Sequence, residues 1–179
     1  MILHERPAPE EYSDFYAGYV DLVDPGPKDI LTHLKAQGMV MLALMRSLGE
    51  EDGARAYAEG KWTLNELIGH LIDMERVFGF RALWIARGET RDQPGIDEGH
   101  WAAHSNAGHR TFLEMHKEQH VCRTNHIYLM RSFCERAWER TGTADGKALS
   151  LRAIPWIICG HERHHMQVMK ERYGLPVPL

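Results

Sequence analysis

Twelve histidines stand in this 179-residue chain, and the informative ones are those placed where an apolar residue is expected. Near the C-terminus, LSLRAIPWIICGHERHHMQVMKERYG has the pattern of a helix. At about 100° per residue, Ile154, Ile157, Ile158, His161, His165, Val168 and Met169 fall in one arc of roughly 120°. His161 and His165 lie in the middle of that arc. Side chains four residues apart stack on one face with Cβ atoms about 5–6 Å apart, so both imidazoles can reach a single ion. A second helical stretch places His70 between Leu67, Met74 and Val77, again on the apolar face. Burying three neutral imidazoles without partners costs about 1–3 kcal/mol each, and a shared metal removes that cost. Three protein ligands leave coordination positions for water or substrate, as catalytic sites do, whereas structural zinc sites are closed by four. Imidazole ligation suits Zn, Ni, Cu and Fe. Core histidines held by hydrogen bonds give the same wheel pattern, and the wheel alone does not make the two helices face each other.

Other polar residues need weighing beside these three. Glu75 and Arg81 fall on the inward side of the helix that carries His70, where they need ion-pair partners or a wet cavity. Each reads either as a substrate contact or support for a ligand, or as an ordinary ion pair. Asp73 lies nearer the solvated flank, His164 on the edge of the apolar arc, and Glu162 points outward. His161-Glu162-Arg163-His164-His165 also matches H-E-x-x-H, the zinc-peptidase helix in which Glu is the general base. Little chain remains after His165 for the downstream third ligand of that class, and the metzincin extension is absent. His116 and His120 form another i,i+4 pair, but Lys117 and Glu118 between them indicate a solvated face. Phosphate-loop, dinucleotide-binding and nucleophile-elbow motifs are missing from the sequence.

The elements that must position the histidines are helices. Residues 1–26 read as an arm punctuated by Pro7, Pro9 and Pro25, followed by one domain over 27–179. Pro27 marks a helix start, and apolar residues from Ile30 to Leu48 follow at helical spacing up to Gly49. Thr63 and Glu66 make a capping box that opens the His70 helix, which stops before Gly88. A connection of Gly, Pro and acidic residues leads to a helical region over about 107–140, ended by Thr141-Gly142 and either continuous or broken near Thr124-Asn125. Ser150 and Gly174 are candidate caps of the last helix, and Pro155 either lies near its first turn or kinks it. Without sustained strand alternation, four helices make an all-α four-helix bundle.

Composition restricts the partners. Hydrophobic residues make up 44% and charged residues 26%, as in globular proteins generally. A formal charge of −4 argues against nucleic acid or an anionic membrane surface as partner. No apolar run nears the roughly 20 residues that cross a bilayer. Three scattered cysteines, with no basic-then-apolar segment at the start, favour a cytoplasmic protein without disulfides.

G-K-W-T-x-x-E-L-I-G-H-L-I-D-x-E-R, F-x-x-R-A-L and W-I-I-x-G-H-E-R-H-H together resemble the DinB-like (damage-inducible, YfiT-type) metalloprotein superfamily from about Lys61 to Tyr173. The resemblance implies its four-helix-bundle topology, often as a homodimer, with one His of the second helix and an H-x3-H pair of the last holding a metal. By position these are His70, His161 and His165. It further implies one divalent transition metal (zinc or nickel first, with iron, manganese or copper as alternatives). The activity it implies is that of a thiol-dependent S-transferase or a hydrolase acting on a small molecule, with a low-molecular-weight thiol as cosubstrate in the first case. A non-enzymatic metal-binding or dimerisation bundle is the competing class. No motif here assigns a thiol-binding residue or a general base.

Overall fold

The computed structural model describes residues 3, 5–26 and 28–177. Its four long helices are α2 (Ile30–Ser47), α3 (Leu64–Ala86), α5 (Phe112–Arg131) and α6 (Ala153–Tyr173); α1 (Asp14–Asp21) and α4 (Glu98–His104) are short additions. The expected four-helix bundle is thus present, and its termini follow local chemistry. Thr63 Oγ1 accepts from the Glu66 amide (3.2 Å) while Glu66 Oε2 accepts from the Thr63 amide (2.7 Å), closing the start of α3. Gly174, at φ +69°, caps α6 in the left-handed region where a Cβ is disfavoured. Ser150 Oγ accepts from the Ala153 amide, and Pro155 lies in the first turn of α6, where its missing N–H leaves no helical bond unmade. Pro27, expected at the start of α2, lies outside the described residues.

Three boundaries differ from the sequence reading. The third long helix is unbroken through Thr124-Asn125 but covers only Phe112–Arg131, and a 3-10 turn at Glu135–Glu139 follows. The connection after α3 contains α4, capped by Asp97 Oδ1 on the His100 amide. The third difference is a hairpin, β1 (Thr141–Ala144) with β2 (Lys147–Ser150), where no strand was expected. Its loop is Asp145-Gly146 at φ +55° and +68°, the two left-handed residues that a two-residue turn matching strand twist requires. At four residues each, the strands are too short for alternation to stand out against the helices.

Residues 1–26, read as an arm, carry α1. Tyr16, Val20 and Val23 are buried in the same apolar cluster as Phe78 of α3 and Trp156, Ile157 and Ile158 of α6. The α1/α6 crossing is very close: a Cβ at Gly160 would lie 1.9 Å from the Tyr19 carbonyl oxygen, so only glycine fits. A second apolar cluster joins the other halves of the long helices, from Met41 and Met45 through Leu67 and Ile68 to Met115 and Met169. Gln37, Glu75, Gln119, Arg123, His161 and Glu162 are all buried and belong to neither cluster. The bundle core is therefore two apolar bodies with a polar stratum between them. No helix of the described residues is long and apolar enough to cross a membrane.

Candidate metal centre

Two helices bring three imidazoles together. The capping box of α3 sets where that helix begins, and His70 follows in its second turn, 4% exposed. Close packing of α1 at Gly160 holds the neighbouring turn of α6, which carries His161 (5% exposed) and, one turn on, the half-buried His165. His70 Nε2 and His165 Nε2 each lie 3.2 Å from His161 Nε2. The three residues are the metal-ligating group found among the described residues, their ligand atoms all within 4.8 Å of one another.

Aromatic rings wall this cluster. Trp62 is 5.0 Å from the His70 ring, and Tyr19 and Phe78 are 5.4 Å and 6.0 Å from His161. Burial lowers the pKa of His70 to about 4. It lowers that of His165 to about 3, with the charged forms of His70 and His164 adding to the effect. His161 is held well below its ordinary value by burial first, then by the other three imidazoles. All three are neutral at neutral pH and keep a lone pair.

That arrangement fits a cation better than it fits hydrogen bonding. A neutral imidazole nitrogen either donates one hydrogen or accepts through one lone pair in the ring plane. His161 Nε2 therefore cannot satisfy both its neighbours, and His165 Nδ1 is buried with no hydrogen-bond partner among the described residues. An ion bound at about 2.0–2.1 Å from each nitrogen in tetrahedral geometry sets the nitrogens about 3.3–3.4 Å apart. The observed 3.2 Å separations are close to that spacing.

The cluster lies between two openings. One is a cleft of about 70 Å³ that reaches His161 past Tyr19, Phe78, Arg81 and Glu98. The other, about 370 Å³, reaches His165 between Tyr57, Trp62 and Tyr173.

Glu162 takes a position that its outward place on the wheel did not indicate. It is 2% exposed and faces α2 and α5. Its Oε2 accepts from Gln37 Nε2 (2.8 Å) and Arg123 Nη1 (3.3 Å), and its Oε1 from Gln119 Nε2 (3.3 Å) and Arg123 Nη2 (3.1 Å). A carboxylate so engaged is not free to act as a base, which removes the physical basis of the H-E-x-x-H reading. Glu75 is the other anion of this stratum, gripped by Arg123 Nε and Nη2, both at 2.9 Å, with His126 Nδ1 at 3.2 Å. Burial raises its pKa, but the Arg123 charge and these hydrogen bonds outweigh that and bring it to about 2.

The remaining candidates separate. Asp73 is half-buried and 3.8 Å from Arg76, His164 is exposed on the rim, and Arg81 is buried in the His161 cleft. His116 is buried and His120 exposed, and they join no metal-ligating group among the described residues. Sequence reasoning missed Arg123, Gln37 and Gln119. Their signal was indirect: mid-helix glycines mark close approach, and a Cβ at Gly38 would meet Arg123 Nη1 at 2.9 Å.

Comparisons with known proteins agree with this architecture. A family model described as the DinB superfamily matches residues 33–169. A solved structure of YfiT from Bacillus subtilis, described as a probable metal-dependent hydrolase with an unusual four-helix bundle topology, is similar at TM-score 0.68. That match covers 96% of this chain and 95% of the other at 14% identity, which speaks to fold alone. Among curated proteins, none matches the chain.

Proposed function

This chain belongs to the DinB superfamily, and from that premise we propose that it is a metal-dependent enzyme whose one divalent transition metal is held by His70, His161 and His165. The observation that carries the reading is the convergence of three neutral imidazole Nε2 atoms, of which the shared one, on His161, cannot hydrogen-bond both of its neighbours. The donor set suits zinc or nickel, then iron, manganese or copper. Such an ion supplies Lewis acidity and lowers the pKa of a water or thiol in its open positions. The reaction class is hydrolysis of a small molecule or thiol-dependent S-transfer. The solved relative YfiT, by its description, favours the former.

The chain's own residues divide the remaining tasks. Tyr19, Phe78 and Trp62 exclude bulk water from the imidazoles and leave the two openings as access routes. Of the carboxylates lining the His161 cleft, Asp145 is paired with Lys147, while Glu98 is in no salt bridge among the described residues. Burial raises the Glu98 pKa, so its carboxyl is the group placed to exchange a proton with a molecule bound there. Met39, Val121 and Tyr128, exposed on α2 and α5, provide an apolar face for the homodimer that the family resemblance implies.

Elemental analysis after metal-replete expression tests the reading. The expected result is about one divalent ion per chain, lost in His70→Ala and His161→Ala while far-UV circular dichroism is retained. A trace amount in the wild type refutes it. Stoichiometric metal without turnover of thiol or ester substrates keeps the site and rejects the enzyme.

A further inference from the structure

The cleft beside His161 holds a cation that is in no salt bridge among the described residues. Arg81, on α3, is 6% exposed and lines the cleft. A guanidinium has five N–H donors. Among the described residues Arg81 makes a single hydrogen bond, to the Pro94 carbonyl at the outer limit of 3.5 Å, and no carboxylate lies within 4.0 Å. The other deeply buried arginine, Arg123, by contrast contacts two carboxylates and a carbonyl. A charge taken out of water with so few partners is expensive to keep unless a ligand completes its bonding.

Geometry directs Arg81 to the reacting end of the site. Its guanidinium carbon lies 5.5 Å from the centre of the Phe78 ring, and that ring is 6.0 Å from His161. Phe78 is a wall common to both, so one small molecule can span them. The opposite wall, Gly95 and Ile96, is fixed by the hairpin: the Gln93 amide donates to Thr143 O (3.1 Å) and the Asp145 amide to Gln93 O (2.8 Å). The other charged groups lining the cleft are the paired Lys147 and Asp145, and Glu98 at the rim. A volume of about 70 Å³ suits the end group of a small molecule.

We propose that this cleft binds a carboxylate end group of the small-molecule substrate on the Arg81 guanidinium. The rest of that molecule extends past Phe78 to the imidazole cluster. A planar guanidinium fork matches a carboxylate through two parallel N–H···O bonds. A phosphate dianion is less well matched, because Glu98 and Asp145 line the same cleft and Arg81 is its only unpaired cation among the described residues. The proposal rests on the metalloenzyme reading only in calling the anion a substrate; the anion site itself stands on Arg81.

The test is an NMR titration of the chelator-treated full chain with propionate, its neutral isostere propionamide, and inorganic phosphate. The probes report at Arg81 Nε–H and at the Gly95 and Ile96 amides. Propionate is expected to bind at least about tenfold more tightly than propionamide, the scale of a charge-assisted bidentate contact. Arg81→Met is expected to erase that preference and Arg81→Lys to retain part of it. Zinc affinity, read separately by competition with a chromophoric chelator, stays unchanged in both variants. Equal binding of the two probes, a preference that survives Arg81→Met, or phosphate binding more tightly than propionate overturns the proposal. Failure of zinc, nickel, iron, manganese and copper alike to bind the wild type refutes the metal reading instead and leaves the propionate result to be judged alone.

Discussion

Replacing Arg123 by Met isolates the polar stratum from the rest of the fold. Arg123 is fully enclosed and bridges Glu75 of α3 and Glu162 of α6, with Nη1 also donating to the Leu34 carbonyl of α2 at 2.8 Å. Glu75 alone gives a scale. Its carboxyl falls from 4.5 to about 2, a drop worth about 3 kcal/mol at 1.36 kcal/mol per pKa unit. Losing the partner of two buried carboxylates gives a similar figure, about 3–5 kcal/mol. For a chain of this length that is roughly 6–20 °C in Tm. The pH dependence carries a sign. In the wild type the contribution of Glu75 is complete above its unfolded value of 4.5 and is lost as pH falls towards about 2. Without Arg123, burial is opposed only by His126 and raises the same carboxyl relative to the wild type, so the variant binds protons before the wild type does. The stability gap should be widest near pH 7 and narrow on acidification towards pH 4. Urea unfolding followed by circular dichroism from pH 7 to 4 measures this. The triple variant Arg123→Met/Glu75→Gln/Glu162→Gln should recover much of the loss, since it removes the buried charges. A loss under 1 kcal/mol at pH 7, or a gap that does not close with acid, would refute this account of the stratum.

The imidazoles titrate in a different window. With His70 at about 4 and His165 at about 3 in the folded chain, the unfolded chain takes up protons first as pH drops below 6.5. The metal-free protein should therefore lose stability between pH 6.5 and 4, by about 3 kcal/mol for His70 alone. A urea midpoint that stays flat from pH 7 to 5 on chelator-treated protein would contradict this. Gly160→Ala should push α1 off α6, because the new Cβ meets the Tyr19 carbonyl. The expected cost is above about 2 kcal/mol, with faster limited proteolysis between residues 5 and 26; unchanged cleavage there counts against it. Glu98→Gln should reduce kcat in whichever assay detects turnover, with metal content unchanged, and an unaltered pH–rate profile would remove Glu98 from the proton transfer.

The histidine geometry was legible because two local rules sufficed: i,i+4 stacking put His161 and His165 side by side, and apolar flanks turned His70 inward. Helix ends with side-chain caps, such as Thr63 with Glu66, were equally readable. What the chain did not disclose depends on more than one element. Glu162 looked outward because the wheel was oriented by one apolar stripe, whereas α6 is enclosed on the α2/α5 side as well and needs a polar partner there. That partner, Arg123, is 39 residues away and sits in a helix whose apolar periodicity is weak. The 141–150 hairpin carried its own signal in Asp145-Gly146, but its four-residue strands gave no periodicity to support it.

His161 and Glu162 are consecutive, so their side chains leave α6 about 100° apart. Apolar packing alone limits how far a helix tilts but is permissive towards small turns about its own axis. The directional bonds from Gln37, Gln119 and Arg123 to Glu162 admit one angular setting. They act on α6 as an indexing pin acts on a shaft, and the imidazoles one residue and three residues along inherit the alignment. The imidazoles are thus clocked into place by the protein itself. A residue inserted between the start of α6 and His161 would turn pin and imidazoles together out of register. Exchange of one imidazole for another side chain leaves the shaft set, because the pin lies on Glu162 and not on the histidines.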